Sequence, residues 1–256
     1  ELERFSRKLL DLLMDAVRMG THLAAAKSAD VPDPEDIVYE ATAREVVSSK
    51  DNIHAKLDHE AVRNTAGYYD FTHKLLEVSG MDARNFLNKM FVAPISKMRT
   101  GQAKYTTMLN GNGQIIDDVI VFRIKEDTYW VSTLYIRELT AWFEAHQTCE
   151  EVQFREITQT TVMYAVQGPA SLTILNQLLK EDIKSLGFFQ IRDNAVKTAS
   201  VKVARSGYTG ELGYELYFHP KDRDLIETAL EQAGAAHGLR KITTDVITTN
   251  KKKKKG

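Results

Sequence analysis

Apolar and polar positions change period several times along this chain, and each change marks an element. Leu9, Leu10, Leu13 and Val17 recur at helical spacing, so a helix is expected there. The segment "DVPDPED" (30–36), with two prolines and four acids, reads as a linker after it. A second helix is expected over 53–66, ending near Gly67, then a strand over 74–79 and a helix over 81–90. "AKYTTMLN" and "IDDVIVFRI" read as two strands joined by "NGNGQ", because Asn-Gly pairs favour hairpin turns. "TYWVST" is a further strand, and a helix is expected around 135–146.

From 152 the pattern begins again. "EVQFREIT" and "TVMYAVQG" read as strands, Pro169 opens a helix through Leu179, and 185–204 returns to strand. The stretch "ARSGYTGELGYELYF" (204–218) combines Gly207, Gly210 and Gly213 with flanking strand alternation at Val201, Val203, Leu216 and Phe218. It predicts strand, glycine-rich turn, strand, with backbone that another group approaches closely. The last helix lies in "KDRDLIETALEQAGAAHG", stopped by Gly238. Strand pairs and single helices alternate without strict βαβ order, which favours an α+β fold of helices packed on antiparallel sheets.

Composition narrows the classes. At 256 residues and 43% hydrophobic the chain is long enough to bury a substantial core. Its 34 basic and 35 acidic residues nearly cancel, so overall charge gives no support to a nucleic-acid or membrane-surface role. No apolar run approaches the roughly 18 residues of a membrane span. The single Cys149 excludes an internal disulfide framework, and the seven histidines show no H-x-x-x-H or H-E-x-x-H spacing, so no metal site is expected. The Lys251–Lys255 run reads as a solvated tail rather than a site.

Two pairs of acids stand out. Asp117 and Asp118 open an apolar strand after a hairpin turn, so alternation sends one inward and the other outward. Glu215 lies between Tyr214 and Leu216 on a strand expected to be buried, and Glu211 precedes it in the turn. A carboxylate facing a core is costly unless it meets donors, positive charge or a polar ligand.

These pieces, in this order, resemble the folate-binding aminomethyltransferase family, typified by the T-protein of the glycine cleavage system. The resemblance runs through "HEAVRNTAGYYDFTH", "VSGMDARNFLNKM", "TTMLNGNGQIIDDVIVFRI", "YAVQGPAS" and "ARSGYTGELGYELYF". It implies an α+β body of antiparallel sheets and packed helices around a tetrahydrofolate site, with the family's C-terminal β-rich domain absent or truncated. On that reading 1–36 is an N-terminal helix and linker, and 37–150 the first part of the folate-binding body. Residues 151–240 form a second α+β part carrying the glycine-rich motif, and 241–256 a disordered tail.

The resemblance implies Asp118 as the catalytic aspartate and Tyr208 and Glu215 as pterin-binding residues. Asp117 and Glu211 complete the candidate cofactor-binding set, with support of turn geometry as their other role. A carboxylate suits two adjacent N–H donors of a pterin ring, and a tyrosine adds flat aromatic area with a hydroxyl. The implied activity is transfer of an aminomethyl or methyl group to tetrahydrofolate from a lipoyl carrier protein or a small methylated molecule, in the cytoplasm or mitochondrial matrix. No nucleic-acid partner is implied, and a protein partner completing the C-terminal side is carried with the reading. Three positions depart from the family pattern: Thr244 where an arginine is usual, Lys74 where a methionine is usual, and "STLY" where an Asn-bearing loop is common. The departures keep two alternatives open, a decayed homologue acting as a structural subunit and a folate-binding assembly factor.

Overall fold

The computed structural model describes residues 53–243. The expected first helix, the 30–36 linker, Thr244 and the lysine run lie outside the described residues. In chain order the elements are α1 (Ile53–Asn64), β1 (Ala66–Asp70), β2 (Lys74–Ser79), α2 (Ala83–Met90), β3 (Ala103–Leu109) and β4 (Ile115–Lys125). Then come β5 (Thr128–Thr133), α3 (Ile136–His146), β6 (Gln153–Glu156), β7 (Val162–Gln167), α4 (Ser171–Leu178) and β8 (Ile191–Val196). The last are β9 (Ala199–Ala204), β10 (Gly213–Phe218), α5 (Arg223–Gly234) and β11 (Leu239–Lys241).

The strands form two sheets. A five-stranded sheet runs β3-β4-β5-β2-β6 and a six-stranded sheet runs β11-β1-β7-β10-β9-β8. Neighbouring strands pair antiparallel except β1 with β11, which are parallel. The six-stranded sheet therefore combines the first described strand with strands after residue 160.

Alternation along each strand sorts its side chains between two cores. On the six-stranded sheet, Tyr164, Val166, Tyr214, Leu216 and Phe218 pack under α4 and α5 with Leu175, Ile226 and Leu230. On the five-stranded sheet, Val119, Val121, Tyr129 and Val131 pack under α2 and α3 with Phe86, Leu87, Leu139 and Phe143. The opposite faces meet each other: Tyr69, Met163, Ala165, Ala204 and Tyr217 from one sheet share a core with Leu75, Ile120, Phe122 and Trp130 from the other. The result is a helix–sheet–sheet–helix stack.

The helices follow from their spacing. Ile136, Leu139 and Phe143 put one apolar face of α3 on the sheet, and Ile226, Ala229 and Leu230 do the same for α5. Gly238 ends the last helical turn in a left-handed conformation, φ +66°. The expected 53–66 helix stops at Asn64, and Ala66–Asp70 is a strand instead. All but its last residue are buried, so "AGYYD" carries no two-residue alternation to announce it. The predicted hairpin turn is a loop in which the Asn110 side-chain oxygen accepts from the N–H groups of Asn112 and Gln114, both at 3.0 Å, with Gly113 left-handed.

Candidate functional site

The inter-sheet faces decide which motif residues meet. On β4, Ile120 and Phe122 belong to the shared core, so Asp118 points to the same side and Asp117 to the other. Asp118 is exposed at the end of the sheet and accepts a 2.7 Å hydrogen bond from the Tyr105 hydroxyl on β3. Burial and the hydrogen bond to Asp118 both push the Tyr105 phenol up, so it stays a donor.

Glu215 lies on the facing sheet, in the middle of β10, and is 2% exposed. The Tyr217 hydroxyl, two residues along the strand, donates to its Oε2 at 2.8 Å. Burial raises the Glu215 carboxyl above the ordinary glutamate range, opposed by Ser206 and Tyr217. The Tyr69 hydroxyl is buried without a partner among the described residues. Burial raises its phenol first, then the charges of Glu215 and Tyr208.

Tyr208 connects the two acids. Its phenol is pushed up to about 12 by burial, then by Glu215 and by Asp118, so it lies within electrostatic reach of both. Its ring packs edge-on against Phe71 at 5.4 Å and against His73 at 6.1 Å. Burial lowers the His73 pKa, which keeps that ring neutral around pH 7, and His73 Nδ1 lies 3.3 Å from the Ser132 hydroxyl. Asp118, Tyr208 and Glu215 thus come together between the sheets, one acid wet and one dry.

Asp117 and Glu211 are placed elsewhere. Asp117, 3% exposed, faces the helix side, where the Thr133 hydroxyl bonds its Oδ2 and its Oδ1 has no partner. Burial raises its carboxyl. Glu211 pairs with Arg63 on α1, tying the glycine-rich turn to that helix. Arg240, the arginine next to the departing segment, holds the buried carboxylate of Asp58.

The glycines serve a purpose the sequence does not reveal. Gln167, fully buried at the end of β7, donates from Nε2 to Ser206 O at 3.2 Å and to Tyr214 O at 3.5 Å. Its Oε1 accepts from the Thr209 hydroxyl at 2.8 Å. A Cβ at Gly207 would lie 2.1 Å from Gln167 Oε1, and one at Gly213 would lie 2.2 Å from Nε2. Both glycines make room for this carboxamide, whereas the sequence suggested room for a ligand. Gly210 sits at φ +75°, where other residues are strained. Gln167 thereby fixes both ends of the loop that carries Tyr208.

Sequence reasoning missed Tyr69, Tyr105, Phe71, His73, Tyr217 and Gln167. A two-residue period from Glu215 points to Tyr217, and the β3–β4 register points to Tyr105, opposite Ile120 and one step along the same face from Asp118. Gln167 had no local signal, because its partners lie about 40 residues away. Tyr217 also lines a separate open cavity of about 310 Å³ with Trp130, Lys202 and His219. Asp118, Tyr208 and Glu215 do not line that cavity.

The GCVT N-terminal domain model matches residues 38–252. The chain belongs to that family. Among similar proteins, the aminomethyltransferase of Halalkalibacterium halodurans is 35% identical over 188 residues, covering 72% of this chain and 51% of that protein. The aminomethyltransferase of Lysinibacillus sphaericus is also 35% identical over 188 residues, with the same coverage of 72% and 51%. This chain therefore spans about half the length of these relatives.

Solved structures agree on the fold. The glycine cleavage system aminomethyltransferase T of Bartonella henselae superposes with a TM-score of 0.67 at 24% identity, over 75% of this chain and 52% of that one. A chain of the heterotetrameric sarcosine oxidase of Corynebacterium sp. U-96 gives 0.53 at 12% identity, over 75% and 95%. Membership of the folate-binding aminomethyltransferase family and the α+β class with antiparallel sheets and packed helices thus agree with the sequence reading. Among the described residues no helix is long and apolar enough to cross a membrane.

Proposed function

We propose that this chain supplies the folate-binding part of a tetrahydrofolate-dependent aminomethyltransferase. The one-carbon unit comes from an aminomethyl-lipoyl carrier protein or a small methylated molecule. The observation that carries the reading is the convergence of Asp118, Tyr208 and Glu215 on one inter-sheet space. A decayed scaffold or assembly role is not favoured, since nothing in a purely structural sandwich calls for a glutamate in the middle of β10.

The residues present fit a reduced pterin. Glu215 uses one oxygen on Tyr217, which leaves acceptor capacity for adjacent ring and amino N–H donors. The Tyr69 hydroxyl near it is buried with no partner among the described residues, as expected where a polar ligand completes the hydrogen bonding. Tyr208 and Phe71 offer aromatic surface for a flat ring. Bound tetrahydrofolate would supply the nitrogen that accepts the one-carbon unit. Asp118, exposed and held on one oxygen by Tyr105, would stabilise positive charge developing on a nearby nitrogen of that group. The Tyr105 bond fixes the orientation of that carboxylate, and the Gln167-pinned loop holds Tyr208 in place.

Anaerobic calorimetric titration with tetrahydrofolate tests the reading. Micromolar binding that Glu215→Ala weakens roughly ten- to a hundredfold is the expected result. A folded chain that shows no heat at high ligand concentration would falsify it.

A further inference from the structure

Tyr69 is 2% exposed on β1, and its hydroxyl has no hydrogen-bond partner among the described residues. Removing a hydroxyl from water without a new partner costs free energy, so such a group calls for an explanation. The strand register supplies one. Tyr69 and Glu215 both stand opposite Ala165, on either side of β7, and Ala204 stands beyond Glu215 in the same row. The row Tyr69–Ala165–Glu215–Ala204 lies on the inter-sheet face. Strands are about 4.8 Å apart, so the Tyr69 and Glu215 backbones are about 10 Å from each other. The residue between them, Ala165, carries only a methyl group, which leaves room above it between the longer phenol and glutamate side chains.

Tyr129 provides the contrast. Its hydroxyl is also buried and unpartnered, but it belongs to the core under α2 and α3, with no acid of the site beside it. Tyr69 instead lies close enough to Glu215 and Tyr208 for both to act on its phenol.

We propose that Tyr69 is a ligand-binding residue that sets which way round the heterocycle sits. This rests on the pterin reading above. Glu215 takes the adjacent amino and ring N–H donors, and the Tyr69 hydroxyl donates to the ring carbonyl that adjoins them. A donor next to an acceptor carboxylate matches the donor–donor–acceptor edge of a 4-oxo pterin in one orientation. The ligand thereby satisfies the hydroxyl that the protein leaves orphaned.

The test is anaerobic titration of the wild type, Tyr69→Phe and Tyr129→Phe with tetrahydrofolate, together with thermal melts of the free proteins. Loss of one neutral hydrogen bond predicts roughly three- to tenfold weaker binding in Tyr69→Phe. The melting temperature of free Tyr69→Phe stays level or rises, because the removed hydroxyl had no partner. Tyr129→Phe binds as the wild type does. Wild-type affinity in Tyr69→Phe overturns the inference alone, as does a clear drop in its melting temperature, which would reveal a structural partner. A wild type that binds no tetrahydrofolate removes the functional reading and this inference with it.

Discussion

The two sheets treat a carboxylate in opposite ways. On the five-stranded sheet Asp118 sits one strand-turn from an exposed loop, open to water and held by a single phenol. On the six-stranded sheet Glu215 occupies the middle of a strand whose six residues are all buried. The first environment leaves an anion able to respond to charge that appears beside it. The second raises the cost of the anion until a ligand with N–H donors offsets it. On the proposed function the first sheet serves the chemistry and the second recognition, so substitutions on the two should separate rate from affinity.

The sharpest break is Asp118→Asn. It keeps the shape and the Tyr105 contact but removes the charge, so transfer should fall about 10²- to 10³-fold while tetrahydrofolate affinity changes less than about threefold. Steady-state kinetics beside calorimetry reads both. Equal losses in rate and affinity would dissolve the division of labour. Glu215→Ala is the reciprocal change. Loss of charged hydrogen bonds predicts affinity roughly ten- to a hundredfold weaker.

Gln167→Leu tests whether the recognition side depends on its buried latch. Three polar partners lose their bonds at once, at a cost of about 2 kcal/mol or more, roughly thirtyfold in the folding equilibrium. Urea unfolding measures this, and Gly213→Ala should destabilise too, since its methyl would overlap the same carboxamide. A Gly213→Ala protein as stable as the wild type would show that the loop has another way to close.

The smallest effect is a pH dependence. Glu215 has a raised pKa in the folded state, so the folded state holds its proton more tightly than the unfolded chain does. Stability should then fall as pH rises from the ordinary glutamate range through the folded pKa, and be undiminished below that range. Glu215→Gln should flatten that part of a melting-temperature profile. Asp117 is shifted in the same direction, so some slope persists in the variant.

Much of this was legible from residue order. Strands β2 and β5 follow from their apolar runs, and the motif resemblance is what singles out Asp118, Tyr208 and Glu215 as candidates. What sequence could not show was the face each residue takes once the register is fixed. Asp117 and Asp118 are neighbours with identical side chains, yet one lies under the helices and the other on the face toward the second sheet. The glycines looked like part of a ligand cradle because their true neighbour, Gln167, lies far away in the chain. Strand β1 stayed hidden because a strand buried on both faces shows no alternation.

The parallel pairing of β1 with β11 has a consequence for the order of assembly. The five-stranded sheet draws only on residues 74–156, a contiguous stretch that can organise as soon as it is made. The six-stranded sheet joins Ala66 to Leu239, a far larger loop to close. Synthesis from the N-terminus thus lets the sheet carrying Asp118 form first, since the last described strand, β11, can join β1 only once residue 241 has been made. A ribosome paused before that point would display a preformed aspartate whose glutamate counterpart still lacks its finished sheet.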